Sequence, residues 1–262
     1  MIKIPIFVLT LENRRDRQET VTTSLEEVGV SFQFTYSNKN ENTQYEPMLK
    51  ATQIEVAIWA SHIKALQALL ETDSQWGLIL EDDFTLLPQG IDLLKNQNSI
   101  NAILESLSDD YSILQIGFLE NSYSSNSRKA VGILFKILFQ FNRFDLRSRL
   151  DNFRYLGLTK TSSIDRVLKI CGLKKTKILY GLRLGTHAYF INRGAASLLT
   201  DIFKNRESDK NFMTIDQYLL TQTRDFTKEP QISAARLSNS LVAQSTSPSD
   251  NFGKTSVEVL ES

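Results

Sequence analysis

The sequence predicts an α/β protein with a mainly parallel sheet. Short apolar runs typical of strands alternate along the chain with stretches whose apolar residues recur at the helical period. The run IPIFVLT at residues 4–10 is apolar throughout, as in a strand covered on both faces, and residues 76–80 have the same character. In sheets of this kind, ligands bind at the carboxyl ends of the strands. The residues that follow each strand are therefore the first candidates for function.

The predicted elements follow one another with short connections. The strand at residues 4–10 precedes a helix over residues 13–28, with Asn13 as its N-cap and Gly29 directly after its end. The next predicted elements are a strand around residues 30–34, a helix over 53–72, a strand at 76–80, a helix over 93–107, a strand at 111–118, a strand at 187–192, a helix over 193–203 and a helix that starts near Thr214.

The length of 262 residues fits one large domain, which we place at residues 1–244. A tail rich in Ser, Thr, Pro and Asp follows at residues 245–262, and we expect it to be loosely ordered. The lone Cys171 allows no intrachain disulfide. We expect no signal peptide, because the apolar run at the start is short and contains Pro5. We expect no membrane span, because the longest apolar stretch, residues 132–141, is short and contains Lys136.

The net charge of the chain is zero, but the charges are unevenly distributed. Residues 120–183 carry 14 Lys and Arg against 4 Asp and Glu, a net charge of +10. We expect this segment to form a basic, helical insertion that faces an anionic partner. Three interpretations stay open: a folded lid with a solvated basic face, an amphipathic helix on an anionic membrane surface, or a nucleic-acid-binding surface with interleaved aromatic residues.

Three adjacent carboxylates end the third predicted strand, in LILEDDF at residues 78–84. Like charges at this spacing repel, and a divalent cation removes the repulsion because hard cations prefer oxygen ligands. Side chains alternate along a strand, so Glu81 and Asp83 should point one way and Asp82 the other. The alternative is a strand that ends at the surface with its carboxylates in water.

Two arginines lie in the first turn of the first helix, where the helix dipole disfavours cations. Arg14 and Arg17 are also in line with the buried stripe of that helix. This position favours binding of an anionic ligand such as a phosphate. The alternative is that both side chains turn to solvent or pair with Asp16 or Glu12.

Three further residues are candidates for chemistry. His62 lies on the apolar stripe of its helix, where a satisfied core histidine is the simpler interpretation. His187 begins a late strand and could face water or reach a metal ion. Asp216 lies in the first turn of a helix that Thr214 and Gln217 would cap, a favourable place for an acid without any function.

The ordered set of these pieces resembles glycosyltransferase family 25, the group containing bacterial lipooligosaccharide galactosyltransferases and collagen galactosyltransferases. The resemblance covers most of residues 1–119 and 185–250, whereas residues 120–183 match nothing in the family pattern. The stretches that carry the resemblance are IPIFVLTLENRRDR, WASHIKALQALLETDSQWGLILEDDF, YSILQIG, GTHAYFINRGAASLL, TIDQYL and SLVAQSTSPSD.

This resemblance implies a GT-A fold, a nucleotide-sugar-binding three-layer α/β/α sandwich that needs Mn²⁺ or Mg²⁺. Asp83 would be the direct ligand of the cation, with Asp82 as a second candidate, while Asp82 and Glu81 could also face the ribose or hold water ligands. Asp216 would be the catalytic base, with His187 as the second candidate. The residues expected to bind the nucleotide sugar are Thr10, Arg14, Arg17, Glu81, Asp82 and His62.

The resemblance further implies an inverting hexosyltransferase that moves galactose from UDP-galactose to a saccharide acceptor in lipopolysaccharide or surface-glycan synthesis. A lipid-linked acceptor would place the enzyme in the cytoplasm, at the inner face of the membrane, with the basic segment on the anionic surface. Two alternatives stay open. One is a GT-A-like nucleotide-binding module without transfer activity, and the other is a nucleic-acid-binding protein that uses the basic segment.

Overall fold

A computed structural model of the chain describes residues 3–37, 53–107, 110–118, 162–180, 182, 187–205, 215, 219 and 232–244. Its strands are β1 (Ile6–Leu11), β2 (Gln33–Ser37), β3 (Trp76–Glu81), β4 (Phe84–Leu86), β5 (Ile113–Gly117), β6 (Ile178–Tyr180), β7 (Ala188–Asn192), β8 (Ala234–Leu237) and β9 (Val242–Gln244). Its helices are α1 (Arg15–Val28), α2 (Gln53–Leu70), α3 (Pro88–Lys95), α4 (Gln97–Leu107), α5 (Ser162–Ile170) and α6 (Arg193–Asn205).

The strands of the described residues form one sheet in the order β2-β1-β3-β7-β5-β8-β6, with β9 beside β5 and β4 beside β9. Strands β1, β2 and β3 are parallel to one another, and β5 is parallel to β8 and β9. Strand β7 lies antiparallel between β3 and β5. The predicted mainly parallel sheet is confirmed, and the amino end of β7 meets the carboxyl ends of β1, β3 and β5 at one edge.

Helices cover both faces of the sheet, so the molecule has three layers. One apolar core packs α1, α3, α4 and α5 against one face, and a second core packs α2 and α6 against the other. Alternate residues of β3 enter different cores: Leu78 and Leu80 face α1, and Ile79 faces α2. The continuous burial of β1 and β3 confirms the prediction of strands covered on both faces.

Two predicted helix boundaries were wrong. Helix α1 begins at Arg15 with Arg14 in the capping position, and Asn13 lies outside it, while Gly29 ends the helix in the left-handed conformation as predicted. The helix predicted over residues 93–107 is two helices, α3 and α4. Asn96 separates them, because its side-chain oxygen accepts the backbone N–H of Ser99 and caps the start of α4.

The basic segment is only partly covered by the described residues. Within it, α5 is helical as predicted, but Ile178–Tyr180 form β6, which pairs with β8 at one end of the sheet. The rest of the predicted insertion and the tail at residues 245–262 lie outside the described residues. Among the residues that the structure does describe, no helix has the length and apolar character needed to cross a membrane.

Candidate functional site

The three adjacent carboxylates separate at the end of β3. Glu81 is the last residue of β3, and its backbone N–H donates to the carbonyl of His187 at 3.0 Å. The side chains of Glu81 and Asp83 both approach His187, whereas Asp82 accepts hydrogen bonds from residues on the α1 side of the sheet. This split agrees with the strand alternation predicted from the sequence.

Glu81, Asp83 and His187 form a cluster in which one potential ligand atom from each residue lies within 4.8 Å of the others. The Nδ1 atom of His187 is 3.0 Å from a carboxylate oxygen of Glu81 and 3.8 Å from Oδ1 of Asp83. Asp83 is 6% exposed, and Gln244 donates to its Oδ2 at 3.0 Å. Its buried Oδ1 has no hydrogen-bond partner in the described part of the chain.

Two carboxylates and one imidazole at this spacing fit a divalent cation such as Mn²⁺. The orphaned Oδ1 of Asp83 is the observation that supports this fit, because a buried carboxylate oxygen without a donor is costly unless something positive occupies its lone pairs. A group of three acidic or imidazole residues can also exist without an ion. The orphaned oxygen distinguishes this group from an ordinary acidic surface.

The pKa values of the two carboxyl groups in the cluster are shifted in opposite directions. Burial, and next to it the negative charge of Glu81, raise the pKa of the Asp83 carboxyl above its ordinary value. Burial also opposes ionisation of Glu81, but the hydrogen bond from His187 and the nearby His62 imidazole outweigh it and hold the pKa of Glu81 well below its usual range. A divalent cation at this place would favour the ionised form of both groups.

Asp82 lies in a separate polar group on the α1 side of the sheet. One oxygen of Asp82 accepts from Arg17 at 2.8 Å, and the other accepts from the hydroxyl of Thr10 at 2.6 Å. The side chains of Arg17 and Asp82 are only 10% and 9% exposed, so their ion pair is nearly buried. The structure therefore brings Thr10, Arg17 and Asp82 together, but it does not bring Asp82 into the cluster around Asp83.

Arg14 adopts the arrangement that the sequence left open as an alternative to ligand binding. Its guanidinium donates to both carboxylate oxygens of Asp16, with Nε at 3.0 Å and Nη2 at 2.9 Å. This pairing lowers the pKa of Asp16 to about 2. Arg17, by contrast, pairs with Asp82.

His62 is completely buried on α2 and lies behind Glu81. Its Nδ1 is 2.8 Å from the hydroxyl of Tyr189, and its Nε2 is 3.8 Å from Oε1 of Glu81. The sequence analysis placed His62 at the nucleotide-sugar site but did not identify Tyr189 or Gln244. A signal for Tyr189 was present, because Tyr189 on β7 is two residues after His187, so alternation along the chain points both side chains to the same face.

The predicted base, Asp216, lies outside the described residues. Its described neighbours Ile215 and Leu219 are four residues apart, helical and buried in the core on the α2 side of the sheet. That spacing fits one face of the helix predicted to start near Thr214.

Comparisons with known proteins place the chain in a family. The model of glycosyltransferase family 25 (LPS biosynthesis protein) matches residues 3–219, most of the chain. A search of curated proteins found no match. Among solved structures, a glycosyltransferase involved in the glycosylation of the major capsid of PBCV-1 aligns over 95% of both chains, with a TM-score of 0.46 and 12% identity. That similarity is too low to transfer any property of that protein. The family match supports a glycosyltransferase role, and the chain belongs to glycosyltransferase family 25.

Proposed function

We propose that this chain is a metal-dependent, inverting glycosyltransferase that moves galactose from UDP-galactose to a saccharide acceptor in lipopolysaccharide or surface-glycan synthesis. The observation that carries the proposal is the cluster of Glu81, Asp83 and His187, in which a buried oxygen of Asp83 has no partner within the described residues. This cluster lies at the strand edge where α/β sheets bind their ligands. Family membership supports the nucleotide-sugar donor.

Asp83, Glu81 and His187 would hold the cation, and Mn²⁺ suits their mixed oxygen and nitrogen donors. Asp83 keeps the role of direct ligand that the sequence suggested. Asp82 is the weaker candidate, since both of its oxygens already accept hydrogen bonds from Arg17 and Thr10. When bound, the cation would neutralise the diphosphate leaving group as a Lewis acid.

Thr10, Asp82 and Arg17 would form the nucleotide side of the site. Asp82 holds the Arg17 guanidinium at the first turn of α1, and a guanidinium suits the geometry of phosphate oxygens. The first-turn backbone N–H groups of a helix also favour an anion. This arrangement would orient Arg17 toward the donor diphosphate, with Arg14 nearby at the helix start as a second cation.

Inversion by a single displacement needs a base that takes the proton of the acceptor hydroxyl. We assign this role to Asp216, as the resemblance implies. His187 was the second candidate, but its Nδ1 faces Glu81 and Asp83, which suits a ligand of the cation better than a base. The described contacts of His187 therefore favour Asp216 for the proton transfer.

The acceptor side would include an anionic membrane surface at the cytoplasmic face, with a lipid-linked acceptor. The described end of the basic segment supports this, because it combines a hydrophobic side chain that is 79% exposed with five exposed cationic side chains. These exposed residues are Ile170 and Arg166, Lys169, Lys174, Lys175 and Lys177.

Co-sedimentation with vesicles of phosphatidylglycerol and phosphatidylcholine tests the membrane contact. The double variant Ile170→Glu, Lys174→Glu should lose binding to the anionic vesicles, whereas Lys95→Glu, an exposed lysine on α3, should not. Equal sedimentation of the double variant and the native chain would refute the contact.

Release of UDP from UDP-galactose, UDP-glucose and UDP-N-acetylglucosamine, with a truncated lipooligosaccharide as acceptor, tests the activity. We expect release from UDP-galactose that needs Mn²⁺, stops in EDTA and is lost in Asp83→Asn, with a β-linked product by NMR. The matched control is Asp73→Asn. Asp73 is exposed and precedes β3, so it lies at the opposite end of that strand from Asp83. Undiminished release in EDTA would refute metal dependence, and tight UDP binding without any release would favour the inactive nucleotide-binding module.

A further inference from the structure

A buried histidine lies against the candidate cation ligand Glu81 from inside the protein. His62 is completely buried, and its Nε2 makes no hydrogen bond within the described part of the chain. The nearest charged atom that the structure gives it is Oε1 of Glu81, at 3.8 Å. A buried polar nitrogen without a partner is costly, so its orientation toward a carboxylate needs an explanation.

Tyr189 fixes the orientation of the His62 ring. The Tyr189 hydroxyl is 2.8 Å from Nδ1 of His62, and the two rings lie nearly parallel, 12° apart, with their centroids 5.9 Å from each other. If the hydroxyl donates to Nδ1, the single proton of the neutral imidazole is on Nε2 and faces Glu81. The opposite tautomer would turn a lone pair toward a carboxylate, which electrostatics disfavours.

Strand β7 therefore acts on Glu81 through two side chains of the same face. His187, directly before β7, contacts Oε2 of Glu81, and Tyr189 acts on Oε1 through His62. Glu81 thus has one imidazole beside each of its two carboxylate oxygens. The distance from Nε2 to Oε1 exceeds a hydrogen bond, so a small rotation of the Glu81 carboxylate would complete the contact.

We propose that Tyr189 and His62 are a positioning pair that orients the Glu81 carboxylate for cation binding. The inference rests on the proposed function, because it takes Glu81 as a ligand of the catalytic cation. Neither residue touches the reacting atoms. Hydrogen-bond partners of metal ligands typically contribute 10–100-fold to metal affinity, which sets the size of the expected effect.

Calorimetric titration of the full chain with Mn²⁺ alone tests the pair. Tyr189→Phe removes one hydroxyl and keeps the ring, and it should raise the Kd for Mn²⁺ about tenfold or more. His62→Ala should have at least that effect, and His62→Gln should recover part of it by restoring an N–H donor. At saturating Mn²⁺, kcat of Tyr189→Phe should be close to that of the native chain. The matched control is Tyr36→Phe, which removes a hydroxyl from an exposed tyrosine.

The outcomes separate this inference from the proposed function. If the native chain and Tyr189→Phe bind Mn²⁺ equally while Asp83→Asn does not bind it, the positioning pair is refuted and the cation site stands. If the native chain does not bind Mn²⁺, the cation site fails and the positioning pair fails with it. Should His62→Ala not fold, Tyr189→Phe alone decides, because that change leaves the packed ring in place.

Discussion

The ionised carboxylate of Asp83 is unfavourable in the metal-free protein. Its carboxyl is buried beside Glu81, and one of its oxygens has no donor among the described residues. Gln244 donates to the other oxygen. A residue selected for stability alone would not be a carboxylate here, since a neutral side chain would avoid the repulsion. The cost is explained if a cation compensates it in the working enzyme.

Asp83→Asn is therefore expected to stabilise the metal-free protein. The raised pKa of Asp83 means that folding favours its protonated form, so stability is lost as the pH rises through that pKa. Asparagine does not ionise and escapes this loss. In EDTA, the unfolding midpoint of Asp83→Asn should exceed that of the native chain at pH 7, and the gap should shrink toward about pH 4 as Asp83 protonates. A lower midpoint for the variant at pH 7 would contradict this view of the site.

Single residues also show where sequence reasoning stopped. Alternation along β3 correctly separated Glu81 and Asp83 from Asp82. The partnership of Asp83 with His187 could not be derived, because the sequence does not show that β7 lies beside β3. Gln244 was missed for the same reason, since β9 meets the site only through its pairing with β4 and β5.

Among the elements, α2 is tied to the start of α6 by one side chain. The guanidinium of Arg193 donates to three carbonyl oxygens at and just beyond the end of α2, one of which, that of Leu69, also accepts from Thr72. These carbonyls belong to Leu69, Leu70 and Thr72. A cation at a helix carboxyl end is also favoured by the helix dipole. Arg193 thus anchors the helix that carries His62.

Arg193→Ala should lower the free energy of unfolding by about 2–3 kcal/mol. Several charge-assisted hydrogen bonds are lost, and the partly buried carbonyl oxygens lose the guanidinium donors. Chemical denaturation measures the change. Arg193→Lys should recover only part of it, since an ammonium group cannot reproduce the planar fork. Arg15→Ala, at an exposed position of α1, is the control and should change stability little. An Arg193→Ala variant as stable as the control would refute the anchoring role.

The longer elements were predictable because strong local signals specify them, whereas the short strands β4, β6, β8 and β9 were not predicted. Continuous apolar runs marked β1 and β3, and Gly29 marked the end of α1 through its left-handed backbone. The break between α3 and α4 was missed, because Asn96 interrupts a helical period that continues on both sides. Such a cap depends on one side-chain hydrogen bond, which periodicity does not show.

On the scale of the whole molecule, the sheet divides the candidate site into two halves. Thr10, Asp82 and Arg17 form the half on the α1 side, and Glu81 leads to His62 and Tyr189 on the α2 side. The neighbouring residues Glu81 and Asp82 at the end of β3 thus contribute to opposite faces of the sheet. We infer that the nucleotide and the cation are recognised by different halves, which meet at the end of β3.

The most direct test of the central claim is the thermal unfolding midpoint of the full chain with UDP, measured with and without Mn²⁺. A ligand that binds only the folded state stabilises it by about 2.7 kcal/mol at a concentration 100-fold above its Kd. We predict a rise in the midpoint with UDP that requires Mn²⁺, is absent in Asp83→Asn and is retained in Asp73→Asn. A rise with UDP that is the same in EDTA and in Asp83→Asn would contradict the claim that Glu81, Asp83 and His187 hold a cation for the donor.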